Sequence, residues 1–345
     1  MRIATPSRVL AVLCTMSLVT TAKAQKPSIR VMPYPHLKRT LGRDPLPMQH
    51  TWQRLLKDGV KDAAQYVKKL QAKESHRLRL NRYRQESLVI TWDGAPDARW
   101  ALNVEGRMRS LTGNRPYYPR NGWARHRWER KSDRNCTLIY ESDKPKASLR
   151  VTFHVKKDHV VYELTLKADE PTPKRLATHL CFNHCWAGGF GRDALVWIDG
   201  KKRRLGDIPN PKRIWIRVAT LADKPLYGKL KRDQFAQDGF GGNLNDAKMT
   251  GVHAVAIKIP VGGVQGRLIA TERRGNRPAT VAINSPDAIS VGWSFWPCTD
   301  IDLALGAVRP GKPKTISGRI YFLNAPSAVA LKKIRIGQKR RERNR

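Results

Sequence analysis

Apolar positions along this chain change period once, and the change divides it. Trp52, Leu55, Leu56, Val60, Ala63, Ala64, Val67 and Leu70 recur at helical spacing with charged residues between them. That period predicts an amphipathic helix within 49–80, capped near Thr51 and weakened but not broken by Gly59. After about residue 86 the period becomes two. Ser87–Trp92 and Trp100–Val104 read as strands. Leu149, Val151, Phe153 and Val155 alternate with polar residues, as do Val160, Tyr162, Leu164 and Leu166, and Lys156, Lys157 and Asp158 lie between the two runs. This is the pattern of a β-hairpin. Further strands are expected at 176–182, 195–198, 214–219, 252–259, 279–283, 289–295 and 315–322. So many strands, punctuated by Gly and Pro and without strand–helix alternation, predict a mainly β chain: a large antiparallel β-sandwich over 87–325. The polar stretch 230–250 reads as a long loop.

The ends differ from this body. Arg2 and Arg8, an apolar run from Val9 to Val19 and the small residues Ala22 and Ala24 have the order of a cleavable signal peptide over 1–24. At 1.5 Å per residue the run is too short to span a hydrocarbon core of about 30 Å, and no later segment is long and apolar enough to do so. Residues 25–48 hold five prolines without a sustained period and read as an extended linker. Residues 326–345 read as a short helix and a basic tail.

Export changes how the composition is understood. Cys14 leaves with the signal peptide, so Cys136, Cys181, Cys185 and Cys298 remain, and four cysteines in an oxidising compartment allow three pairings. Cys181 and Cys298 are the first pair to test, because a sandwich brings distant strands together. The formal net charge is +38 over 345 residues, spread along the body as well as the tail. Such a field attracts polyanions and makes encounter sensitive to salt. For an exported chain, anionic polysaccharide is a nearer partner than nucleic acid.

Common catalytic signatures are absent: the chain has no GxSxG, HExxH, P-loop or strand-bounded GxGxxG. Three clusters carry candidate chemistry. The first, His179-Leu-Cys181-Phe-Asn-His184-Cys185-Trp186, lies on an expected strand, with His179 and Cys181 on one face and Leu180, Phe182 and His184 on the other. A bulge near Asn183 could bring His184 and Cys185 round, but paired CxxC units are missing, so no metal or other cofactor is expected. The second runs from Tyr117 and Tyr118 through Asn121, Trp123, Arg125, His126 and Trp128. Alternation puts Trp123 with Arg125 on one face and His126 with Trp128 on the other. Aromatic faces stack on sugar rings and guanidinium forks bind carboxylate or sulfate, so this cluster, with Trp186 and Trp296, is the candidate polysaccharide face. The third, Trp293 to Asp302, is expected to end a strand at Pro297 and carry Asp300 and Asp302 on an edge loop.

The order of features from about residue 87, and especially the closing segment WPCTDIDLALGAVRPGKPKTISGRIYF, resembles secreted bacterial proteins built on the galactose-mutarotase-like supersandwich. The resemblance implies carbohydrate handling by binding, isomerisation or lyase chemistry. Three functions follow as expectations: a binding protein holding anionic polysaccharide on a basic aromatic sheet face, a lyase or mutarotase-like enzyme with His126 or His184 as base, or a structural protein of the envelope.

Overall fold

The computed structural model describes residues 28–47, 84–110, 117–119, 122–174, 176–191, 193–198, 200–205, 215–219, 254–257, 264–294 and 297–334. The signal peptide expected over 1–24, the helix expected within 49–80, the loop expected at 230–250 and the basic residues beyond 334 lie outside them.

Chain order begins with β1 (Ile29–Pro33), α1 (Tyr34–Leu41), β2 (Ser87–Trp92), β3 (Arg99–Ser110) and β4 (Tyr117–Tyr118). There follow β5 (Arg125–Ser132), β6 (Asn135–Asp143), β7 (Lys146–Val155), β8 (His159–Ala168), β9 (Leu176–Trp186), β10 (Leu195–Ile198) and β11 (Lys201–Arg204). The rest are β12 (Trp215–Ala219), β13 (Ala254–Ile257), β14 (Leu268–Arg273), β15 (Ala279–Asn284), β16 (Ala288–Ser294), β17 (Cys298–Ala304) and β18 (Lys314–Leu323). They form two sheets. The first runs β1-β2-β3-β9-β17-β16-β12-β13, with β4 on β3; the second runs β11-β10-β14-β15-β18-β8-β7-β6-β5. Pairing is antiparallel throughout except between β12 and β13, so the architecture is the expected mainly antiparallel sandwich.

Alternation explains why the sheets stack. In β7 and β8 every second residue is buried, and Leu149, Val151 and Phe153 face inward with Tyr162, Leu164 and Leu166. Opposite them, Leu180 and Phe182 of β9 and Ile301 and Leu303 of β17 line the inner face of the first sheet. Aromatic rings fill the space between. Trp100 meets Phe322 at 5.1 Å and Phe190 at 5.3 Å, both edge-on. At Gly318 the packing is tight enough to require glycine: a Cβ there would lie 2.1 Å from Tyr162 Oη and 2.3 Å from the Asn284 carbonyl, which accepts the tyrosine hydroxyl hydrogen bond.

The N-terminal segment departs from the extended linker expected over 25–48. Residues 29–33 pair with β2 as the edge strand of the first sheet, and Tyr34–Leu41 form a helix with proline in its first turn and left-handed Gly42 as its stop. The prolines that read as a linker are therefore compatible with a strand end and a helix start. Tyr34 and Leu46 cover Val89 and Ala101 on the outer face of this sheet. At the other end, residues 327–334 are helical. No helix among the described residues is long and apolar enough to cross a membrane.

Candidate functional site

Two cross-strand rows on the outer face of the first sheet bring together polar side chains from distant parts of the chain. Asp300 pairs with Cys181 and with Gly292, and Cys181 with Asn103; one step along, Asp302 pairs with His179 and with Ser290. Because residues two apart share a face, Asn103, His179, Cys181, Asn183, Asp300, Asp302 and Ser290 all project to the side away from the sandwich core. His179 Nδ1 donates to Asp302 Oδ1 at 2.8 Å, and its Nε2 lies 3.6 Å from Asp300 Oδ1. Ser290 Oγ donates to the second oxygen of Asp302. The Asp302 side chain is wholly buried and those of His179 and Asp300 are 6% exposed, while Cys181 and Asn183 are half-buried and reach solvent.

Burial of His179 by itself disfavours its cation. The hydrogen bond to Asp302, a contact with Cys181 and the charge of Asp300 outweigh that penalty and push the imidazole up to about 10. His179 is therefore an imidazolium at neutral pH, held between two acidic side chains. Among the described residues no group of three or more His, Cys, Asp or Glu side chains is arranged to hold a metal ion.

Asp300 and Asp302 were expected on an edge loop, and the structure corrects this. The preceding strand is described as far as Ser294, and Cys298–Ala304 is a central strand between β9 and β16, buried almost throughout. Its signal was present: Thr299, Ile301 and Leu303 alternate with Asp300 and Asp302 as the two faces of a strand. His179 and Cys181 share a face as their spacing requires. A register irregularity lies between Asn183 and Trp186, opposite Ala101 and Arg99, and it brings Trp186 alongside Arg99. Trp186 is half-buried against the Tyr34 and Leu46 cluster, its Nε1 donating to the Pro47 carbonyl at 3.1 Å. His184 stays on the core side, fully buried, edge-on to Phe182 and hydrogen-bonded with Thr299 Oγ1 at 2.9 Å.

The basic aromatic face expected around β5 is corrected as well. Trp123 does not share a face with Arg125. It turns inward, 6% exposed, with its ring 5.9 Å from Tyr140. Trp128 also packs inward near Phe153 and donates its Nε1 to the Gln85 carbonyl. Arg125 points outward and is held by Glu141 at 3.0 Å and Asp143 at 3.2 Å; Arg127 holds the other Glu141 oxygen at 3.0 Å. The hydrogen bonds from Arg127 and Arg125 keep the Glu141 carboxyl below its usual range. Stacking rings and anion-binding forks thus lie on opposite faces, and these forks are engaged by carboxylates. Tyr118 is buried in the core, where desolvation raises its hydroxyl to about 12. His126 lies 3.8 Å from Glu86 on β5 of the second sheet, so it and His184, on β9 of the first, are not brought together. Asn121 and Trp296 lie outside the described residues.

Solved structures match the chain at low identity and TM-scores below 0.5. The chain is similar to a galactose mutarotase-like protein of Lactobacillus casei (12% identity, TM-score 0.37, 69% of this chain and 93% of that one). It is also similar to a galactose mutarotase-related enzyme of Lactobacillus acidophilus (13%, 0.33, 70% and 92%). A third match is an α-N-acetylgalactosaminidase of Bifidobacterium bifidum (14%, 0.40, 74% of this chain but 36% of that one). The resemblance to galactose mutarotase-like proteins is thus one of low identity, and it assigns no chemistry to individual residues. No family model matches the chain, and no curated protein matches it by sequence.

Proposed function

We propose that the chain is an exported carbohydrate-binding protein that seats one sugar unit of an anionic polysaccharide on the outer face of its first sheet. The observation that carries this reading is the His179–Asp302 pair with Asp300 beside it, set in the middle of a sheet face with half-buried Cys181 and Asn183 as neighbours. Sugar hydroxyls both donate and accept, so the half-buried amide of Asn183 on this face suits them, with the almost wholly buried His179, Asp300 and Asp302 fixed beside it. Gly292, opposite Asp300, adds no side chain to the row. The polymer as a whole is drawn by the net charge of +38, which acts over the body and depends on salt.

Binding is favoured over turnover by the proton on His179. Against the penalty of burial, the hydrogen bond to Asp302, with Cys181 and the charge of Asp300, raises its pKa to about 10 and favours the protonated ring. His179 is then scarce as a base, and an acid that holds its proton more firmly than general acid catalysis near neutral pH prefers. The second reading, a mutarotase-like or lyase activity, is favoured by the closeness of Asp300 to His179 Nε2, which sets an acid beside a carboxylate.

The test is binding of the full chain, by calorimetry, to a uronate polymer, a sulfated polymer and a neutral glucan at low and high salt. Affinity for the anionic polymers that falls with salt, and that is lost in a folded His179→Gln variant, supports the proposal. No binding to any of the three overturns it. A change in anomer ratio or the appearance of unsaturated product, lost in the same variant, replaces it with the second reading.

A further inference from the structure

Cys181 and Cys298 stand on neighbouring central strands of the first sheet, 117 residues apart in sequence, with their sulfurs 3.6 Å from one another. The register explains the approach: Cys298 is opposite Asn183 and Asp300 opposite Cys181, so the two cysteines are diagonal neighbours on one face. They differ in access. Cys298 is 5% exposed, whereas Cys181 is half-buried. Both are thiols in this structure.

We infer that Cys181 and Cys298 form an oxidant-dependent disulfide that ties β9 to β17 beside His179. Diagonal residues of an antiparallel pair lie about 7–8 Å apart at Cα, slightly beyond the usual span of a disulfide, so closing the bond needs a small local shift of the two strands. The oxidant is a small disulfide, RSSR. The Cys181 thiolate attacks one of its sulfurs, forming a mixed disulfide and releasing RS⁻. Cys298 then gives up its proton and attacks the Cys181 sulfur, breaking the mixed bond and releasing the second RS⁻. The two cysteine protons leave with the two RSH molecules, and the two electrons lost by the cysteines reduce RSSR. Solvent access sets the order. Burial, then Cys181 and the Asp300 charge, push the Cys298 thiol well up, which suits it to the second step and not the first. Cys185 also lies close enough to bear on Cys298 and is the competing partner. Cys136 is apart from them: it sits on β6 of the second sheet, where burial raises its thiol to about 12.

The test treats the full folded chain with oxidised glutathione, blocks remaining thiols, and maps linked peptides by mass spectrometry without reduction. The expected result is a Cys181–Cys298 linked peptide that disappears on adding dithiothreitol, with Cys136 recovered as a blocked thiol. Oxidation should raise the unfolding midpoint of the natural chain but not of Cys181→Ser, whose half-buried site tolerates the change. Cys298→Ser provides a second arm. A Cys185–Cys298 link as the main product, or no linked peptide while Cys181 carries glutathione, overturns the inference. Neither readout involves a sugar, so the result stands apart from the test of binding.

Discussion

The outer faces of the two sheets teach different lessons about polar residues. On the first, His179, Asp300 and Asp302 are withdrawn from water and depend on one another. On the second, Arg125, Arg127, Glu141 and Asp143 also form a connected group, but the arginines are at least half exposed and water screens every contact. The same kinds of charge therefore differ in consequence. Removing a partner from the first face leaves a charge that solvent cannot easily reach, whereas removing one from the second lets water take its place.

Substitution separates the two faces most sharply at Asp302. Asp302→Ala leaves the His179 imidazolium with its best partner gone, and a loss of about 3–5 kcal/mol in unfolding free energy is expected by chemical denaturation. A loss no larger than that of an ordinary surface change would mean that His179 is not held as a cation. On the second sheet the sensitive positions lie on the inner side. Gly318→Ala drives a methyl group into Tyr162 and should cost about 1–3 kcal/mol in the same measurement.

A pH series tests the first face without altering its shape. His179 is raised in the folded chain, from 6.5 to about 10, so its contribution is fully present below its unfolded value and is lost as pH rises through that interval. Stability of the natural chain should fall between those limits more than that of His179→Gln, the difference between the two curves isolating this group. Equal slopes would remove His179 as the cause. The smallest effect is expected at Arg125: Arg125→Ala should leave the unfolding midpoint unchanged at moderate salt, and a clear drop would show that the exposed cluster is more than a solvated face.

What could be read from the sequence follows the same division. The hairpin of β7 and β8 was plain because one of its faces is wet, and alternation is visible only when the two faces differ. β17 shows alternation too, but its polar face is buried, and aspartates on a buried face resemble loop residues until their partners are known. The facing of His179 and Cys181 follows from a spacing of two. Their meeting with Asp300 and Asp302 does not, because register between segments more than a hundred residues apart leaves no local trace. The inward turn of Trp123 was equally illegible, since it depends on where β5 begins, and on Tyr140 of the adjoining strand. Prolines misled at the N-terminus, where β1 is an edge strand and tolerates one at its end.

The strand order also bears on how the molecule assembles. β5 to β8 are successive hairpins and can zip up as each is completed, but β9 must find β3 on one side and β17 on the other, and the His179–Asp302 bond closes a loop of 123 residues. Short closures are entropically cheaper and faster than long ones. The four-strand meander is thus expected to nucleate, and the polar rows to be among the last parts to acquire their geometry; pulsed hydrogen exchange during refolding, with β6–β8 amides protected before those of β17, would show it. A nicked or half-folded chain would then carry a sheet without the assembled polar rows, making the rows a mark of complete folding.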